Sequence, residues 1–455
     1  MSVFARHDRG ALVVLTLTML AIIAPLSLSA ATVQVVQNGN SPCISNLPAY
    51  SSIQTAVNSV PAGSTIKICP GTYAEQIMIT KAMSLIGVAG NGLTYGAASG
   101  ANNPVIVSPA LGVMVNAYDL YNAQPTAAQI AVLSPGDKVY INNLTIDGSN
   151  NGLNSCATDL VGIYYQNASG TVNHVVTRFQ ELAPADFGCQ DGLAIYVQSG
   201  YATTGTANVT IENSSVHDYD KNGITADGIG TVATITGNYV VGIGATPATA
   251  QNGIQLSDGA SGKITNNTVT DDVYVNPPNC STPSNPPCYS ATGILLYDSG
   301  GTSGTHVPVS GNTVSNTQGA IIIFTDSAQT ADWNDVTSNK ITTSPSAGIY
   351  LLDGIDLCSN NNTAKSNTVF NSSGAGVHND SQCVENGGAT GNNNVIANNT
   401  INEACAGVLT GHGASPAPTG TTTFNVVQTV ASGDICPAGT SKRTTPRLRP
   451  QPRRQ

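Results

Sequence analysis

The sequence predicts an all-β fold, a right-handed parallel β-helix (solenoid) with a short N-terminal capping helix, and three observations predict it. First, the 455-residue chain is only 9% charged and 5% aromatic yet holds 47 glycines, a composition suited to many short strands joined by turns. Second, a short apolar strand ending near an aspartate recurs: KNGITADG with Asp227, QNGIQLSD with Asp258, ATGILLYD with Asp298, GAIIIFTD with Asp326, AGIYLLDG with Asp353 and AGVHND with Asp380. Third, between these strands runs a motif of apolar, two small or polar residues, Asn, one residue, apolar, with its asparagines at Asn238, Asn267, Asn312, Asn339, Asn367 and Asn399.

Successive aspartates are 31, 40, 28, 27 and 27 residues apart, and the long interval contains the insertion VNPPNCSTPSNPPCYSA. No helix-period segment separates the strands, so they stack best as coils, each hydrogen-bonded to the next at about 4.8 Å. One coil alone has nowhere to bury its apolar face, which is why the unit repeats. A column of asparagines at one turn can stack amides from coil to coil. A β-propeller also repeats, but its blades need longer four-stranded units.

The first residues carry Arg6 and Arg9, an apolar run from Ala11 to Leu28 and the small residues Ser29, Ala30 and Ala31, the pattern of a cleaved secretory signal over residues 1–31. A cap and the first coils follow over 32–110, then coils over 111–436 with a Pro/Cys-rich insertion near 271–290. A disordered basic tail is expected over 437–455. Within Ser51 to Val60, the residues Ile53, Ala56, Val57 and Val60 share one helical face, fit to close the open end of the stack. The ten cysteines, all beyond the signal, suggest disulfides between neighbours in order: Cys43 with Cys69, Cys156 with Cys189, Cys280 with Cys288, Cys358 with Cys383 and Cys405 with Cys436. The chain has no CxxC and no paired His spacing to suggest a metal site instead. Export to the bacterial cell surface, periplasm or medium is the expected localisation, with no stable membrane anchor once the signal is removed.

Between Thr32 and Ser441 eight Lys and Arg face 25 Asp and Glu, whereas the tail SKRTTPRLRPQPRRQ holds six basic residues. The body therefore offers nucleic acid no basic face.

From Val139 to Val408 the repeat resembles the pectin-lyase-like superfamily of right-handed β-helix proteins, and Tyr50 to Gly87 is similar to the opening of pectin methylesterases. In those esterases a Gly-x-Tyr-x-Glu element corresponds to Gly71, Tyr73 and Glu75, and a Gln-Asp acid motif to Gln190 and Asp191. Their nucleophilic aspartate is matched only by Asp218 or Asp220 in DYDKNGI, and their Leu-Gly-Arg-Pro-Trp element has no counterpart. The resemblance to polygalacturonases implies an acid pair of Asp191 and Asp220 on adjacent coils; Gly411, His412 and Gly413 spell a further motif of that family but follow their strand instead of opening it.

Read as chemistry, Asp191, Gln190, Asp218, Asp220, His217 and Arg178 form the candidate catalytic patch: carboxylates as acid and base or nucleophile, Arg178 as anion clamp. Arg178 is the single arginine between signal and tail. In a Gly-Ile strand the Ile points inward and its neighbour outward, so Tyr164, Tyr196, Gln255, Tyr297, Tyr350 and His378 are candidate substrate-binding residues on an exposed sheet face. The aspartate row either binds cations such as Ca²⁺ or consists of turn formers accepting backbone N–H groups, and the Gly or Ser after each makes the turn reading sufficient. No cofactor is required. The expected role is binding or processing an extracellular polysaccharide, with uronate-rich polymers as the expected class, by a monomer; a noncatalytic adhesion protein is the alternative.

Overall fold

The computed structural model describes residues 29–88, 104–201, 204–275, 289–326, 330–342, 353–372, 374–380, 391–404, 406–410, 421–423, 426–430 and 449–450. Three long sheets run side by side along one axis. Sheet A has 14 strands, sheet B 12, and sheet C 12 including one side strand. The chain visits A, B and C in turn: Ala207–Glu212 lies in A, Ser215–His217 in B and Asn222–Asp227 in C, and Thr231–Thr236 then returns to A beside Ala207–Glu212. Pairing along all three sheets is parallel, the exception being the side strand Ala117–Tyr118, which turns back antiparallel on Pro125–Thr126. This is a right-handed parallel β-helix, the architecture the sequence predicts.

The inward position of each Gly-Ile strand forms a continuous column: Ile163, Ile195, Ile224, Ile254, Ile294, Ile321, Ile355 and Val377 are in register and none is exposed. Alternation within each strand sends every second side chain into this core. β-branched residues suit it, since they pack well on a pleated surface.

The turn from A to B holds the asparagine ladder. Asn238, Asn267, Asn312, Asn339, Asn367 and Asn399 are all buried, and each amide Nδ2 donates to Oδ1 of the next at 3.0 Å. The same Oδ1 accepts the preceding asparagine's backbone N–H at 2.9 Å. The second amide hydrogen goes to a carbonyl of the coil before, as from Asn312 to Ile264 O at 3.0 Å. The residue ahead of each ladder asparagine is left-handed: Gly237, Asn266, Gly311, Ser338, Ser366 and Asn398 have φ from 55 to 67°. Small and polar residues precede the asparagine because that backbone conformation disfavours bulk.

The capping helix spans Ile53–Ser59 and buries Ile53, Ala56 and Val57. Its first amides are held by Glu75, whose carboxylate accepts from Ile53 N, Gln54 N and Ser52 Oγ at 2.8–2.9 Å. The glutamate of the esterase-like Gly-x-Tyr-x-Glu element is thus a helix cap here. Cys43–Cys69 and Cys156–Cys189 are bonded as expected, with Cα atoms 5.7 and 5.1 Å apart. Cys358 is also disulfide-bonded, and the other five cysteines lie outside the described residues, as do residues 1–28 of the expected signal. Among the described residues no helix is long and apolar enough to cross a membrane. Of the basic tail only Arg449–Pro450 is described, as a two-residue strand beside Tyr289–Ser290.

Removing one ladder rung strands buried donors and acceptors on both neighbouring coils, each worth about 1–3 kcal/mol. Asn312→Ala should therefore cost roughly 3 kcal/mol in urea unfolding, against less than about 0.5 kcal/mol for the exposed Asn208→Ala. Equal midpoints for the two variants would remove the ladder from the stability argument.

Candidate functional site

The outward face of sheet C carries, in register, Ala131, Tyr164, Tyr196, Thr225, Gln255, Leu295, Ile322, Asp356 and His378. The expected direction of Tyr164, Tyr196, Gln255, Tyr297 and His378 is right, but their expected exposure is not: all are at most 3% exposed. The Ala117–Tyr118 hairpin covers the first part of the face, packing Ala117 with Tyr164 and Tyr196, whose rings stack at 5.0 Å. Tyr297 stacks on Phe324 at 5.6 Å and donates to Asp326 at 2.5 Å. Tyr350 lies outside the described residues. Asp353 stands two residues ahead of the strand Ile355–Cys358, whose Ile355 takes the inward position.

The six catalytic candidates divide. Asp191 and Asp220 do meet across adjacent coils: Gly192, with φ of 80°, passes so close that a Cβ there would lie 2.5 Å from Asp220 Cβ. Both carboxylates are fully buried, however, so no open cleft contains them. Asp191 Oδ1 accepts from Leu160 N and Gly192 N at 2.8 Å, which ties two coils together. Burial pushes Asp191 up to about 7 and Asp220 up to about 9, the latter helped by the charges of Asp191 and Glu181. Beside them Lys221 donates to Ala250 O, and burial lowers it to about 7. Gln190 is a left-handed residue (φ 58°) whose amide donates to Gly188 O. Arg178 pairs with Asp147 at 2.8 Å and leans over Phe179, leaving the anion clamp engaged elsewhere. His217 and Asp218 form a surface pair at 2.7 Å. As a catalytic patch, these residues are a buried acid pair and two separate ion pairs.

The titratable groups that do converge beside open space are others. Asp119, on the hairpin, and Asp227, at the end of Asn222–Asp227, share two donors. Tyr196 Oη donates toward Asp119 Oδ2 at 2.9 Å and Asp227 Oδ2 at 3.2 Å, and Gln198 Nε2 reaches the same oxygens at 3.3 and 3.0 Å. Those oxygens are therefore at most about 6 Å apart, short of the roughly 6.5–9.5 Å carboxyl separation of inverting glycosidases. Asp119 Oδ1 is fixed by Tyr121 N at 2.7 Å and Asn122 N at 3.3 Å. Asp227 also accepts from Tyr201 Oη at 2.9 Å and from Ser257 Oγ at 2.8 Å. Ser257 in turn takes a bond from Gln255, so that predicted residue stands one hydroxyl away from the site. Burial raises Asp227 to about 6 against the pull of these donors, with the Asp119 charge adding to the rise. Gly228, φ 87°, follows because a Cβ would lie 2.7 Å from the Tyr201 ring and 2.1 Å from Ser199 O.

Asp119, Asp159, Asp227 and Asp258 line one pocket with Tyr121, Asn122, Tyr196 and Tyr201, and its volume of ≈ 20 Å³ suits about one water. The Tyr121 and Tyr201 rings meet edge to face at 5.3 Å. Past Tyr201 and Asp258 an open groove of ≈ 800 Å³ runs over Gly205, Ile229 and Gly230. A second of ≈ 560 Å³ lies over Val232, Gly259, Thr302 and His306.

Sequence reasoning missed Asp119, which belongs to no repeat, and grouped Asp227 with the turn formers. A signal was available. Counting from the inward Ile or Val, Asp227 and Asp380 are three residues on, an outward position, whereas Asp258 and Asp298 are four on and left-handed (φ 53 and 48°). The row is not one set, and two of its members, Asp353 and Asp380, lie in clusters with side chains from outside it. Among the described residues the sets that do converge are Asp353, Asp356 and His378, and Asp356, Cys358 and Asp380. Neither suits Ca²⁺. Burial alone would lower His378, but Asp353, at 2.9 Å, with Asp356 and Asp380 raises it to about 9, an imidazolium, and the Cys358 sulfur is in a disulfide.

No protein-family model matches the chain, and no curated protein matches it. Among solved structures it is similar to the A-module of the mannuronan C-5 epimerase AlgE4 of Azotobacter vinelandii (12% identity, TM-score 0.42, covering 82% of this chain and 90% of that one). It is also similar to the DFA-IIIase of Arthrobacter chlorophenolicus (14%, 0.43, 86% and 88%) and to the surface protein and adhesin PfbA of Streptococcus pneumoniae (13%, 0.38, 82% and 94%). A fold does not fix a function, so function has to be argued from the site.

The buried acids predict a pH dependence. Asp191, Asp220 and Asp227 have folded values of about 7, 9 and 6 against an ordinary 3.8. The folded chain therefore holds more protons than the unfolded one above pH 3.8, and stability falls as pH rises toward each folded value. The His378 pair adds to the loss between 6.5 and about 9, while Lys221 opposes it between about 7 and 10.5. The thermal midpoint should thus be higher at pH 5 than at pH 7, and Asp220→Asn should flatten that slope; an unaltered slope would show that Asp220 does not titrate there.

Proposed function

We propose that this chain is an extracellular glycan-processing enzyme that cleaves glycosidic bonds with Asp227 as proton donor and Asp119 as its carboxylate partner. The observation that carries this reading is the pair of carboxylates bridged by one tyrosine hydroxyl beside an open groove. Asp227, raised to about 6, keeps a proton at mildly acidic pH and gives it to the leaving glycosidic oxygen. Asp119, whose Oδ1 is held by the backbone N–H groups of Tyr121 and Asn122, is the carboxylate that attacks the anomeric carbon; water then releases the sugar with Asp227 as base. Tyr196 and Gln198 hold both groups at this separation. Because the pocket is water-sized, the sugar enters when Tyr121, 47% exposed, swings off Tyr201.

Charge argues against the uronate-rich substrate expected from the sequence. Four aspartates line the pocket and no basic side chain does, so a polyanion would be repelled. A neutral glycan fits instead. The two described disulfides suit an oxidising compartment outside the cytosol.

Purified protein should release reducing ends from a neutral polysaccharide, with Asp119→Asn and Asp227→Asn each lowering kcat by about 10²–10⁴ without changing the thermal midpoint by more than a few degrees. Polygalacturonate and alginate should be untouched. Binding without turnover, unaltered in both variants, would leave the adhesion reading instead. Activity should fall as pH rises through about 6, where the proton donor ionises. Tyr201 donates to the ionised form of Asp227, so Tyr201→Phe should move that alkaline limb to higher pH.

A further inference from the structure

The chain has a single tryptophan, Trp333, and its backbone is left-handed at φ 62°, a conformation that costs energy for a bulky residue. The turn holds it there from both sides. Val307 N donates to Trp333 O at 3.0 Å, Gly301 N donates to Asp332 O at 2.9 Å, and Asn360 N donates to Asp332 Oδ1 at 3.0 Å. The indole is only part-buried, and it lies 5.3 Å from the ring of His306, which lines the distal groove. His306 is itself fixed through Nδ1 by Asp335 at 3.0 Å. Trp333 thus packs against a histidine that lines the groove, with its backbone strain offset by three hydrogen bonds at Asp332 and Trp333 and the histidine ring anchored by a carboxylate, an arrangement that can receive a flat apolar face.

We propose that Trp333 and His306 form a sugar-stacking subsite for a neutral oligosaccharide, about three coils along the axis from Asp227. The inference rests on the reading of the groove as the glycan path, and it commits to the ligand's length. At about 4.8 Å per coil the span from Asp227 to Trp333 is about 14 Å, close to three sugar residues, so chains shorter than that leave the subsite empty when the first ring sits at the carboxylates. Aromatic faces take the C–H side of a sugar ring, while Asp335 behind His306 and Asp298 in the groove disfavour a uronate.

Because no other tryptophan exists, indole fluorescence reports this subsite alone. Asp227→Asn protein, slowed in turnover by the loss of its proton donor, would be titrated with cello-, xylo-, manno- and laminari-oligosaccharides of two to six residues, and with trigalacturonate and hexagalacturonate. A saturable quench or blue shift is expected with at least one neutral series, stronger from four residues upward, and absent with the uronates. His306→Ala on the same background should weaken that binding about tenfold, the equivalent of losing one aromatic contact. Silence with every neutral series, an equal response to uronates, or undiminished affinity in His306→Ala would each overturn the subsite. The readout needs no turnover, so a chain that binds at Trp333 yet cleaves nothing would sink the catalytic reading and leave the subsite standing.

Discussion

Everything in this molecule depends on coils being held in one register by side-chain amides. A parallel solenoid pairs each strand only with its equivalents one coil away, so an error of one residue anywhere would exchange core and surface along the whole column. Asn238 through Asn399 prevent this at the A-to-B turn, because each amide satisfies a neighbour above, a neighbour below and a backbone carbonyl. An asparagine one position out of place would leave those buried groups unpaired. The isoleucine column of sheet C then has no choice but to stack in register.

That rigid register is also what allows costly groups to be buried. Asp191, Asp220, Lys221 and Asp272 sit in one corner between sheets B and C, each shifted toward its neutral form by the loss of water. They resemble a catalytic cluster in composition and in their perturbed protonation. What separates them from the Asp119 and Asp227 pair is access. The first cluster is sealed by its own coils, whereas the second adjoins a groove and has exposed Tyr121 at its rim. Perturbed carboxylates occur wherever a scaffold can tolerate burial, so the neighbouring space decides which of them can meet a substrate.

Much of the candidate site was close to legible. Tyr196 and Gln255 were singled out from the outward phase of Gly-Ile strands, and both belong to the network around Asp227. Asp227 is visible as a repeated feature, but only its phase, three residues from Ile224 where Asp258 is four from Ile254, sets it apart from the turn formers. Asp119 was beyond reach. It lies on a hairpin outside the repeat, and it meets Tyr196 across 77 residues of sequence only because that hairpin folds back over sheet C.

By itself the sequence determined what is periodic: strand phase, turn chemistry, the asparagine ladder, the helix face over the first coil and two disulfides between neighbouring coils. These follow from interactions between equivalent residues one repeat apart, so spacing alone reveals them. Tertiary structure decided what the insertions do, since a segment that breaks the period carries no internal standard of position. The hairpin buried tyrosines that the period marked as exposed, and brought Asp119 to Asp227. The loops that follow the sheet C strands opened the groove lined by His306. Contacts made once have no echo along the chain, and the functional reading of this protein rests on contacts of that kind.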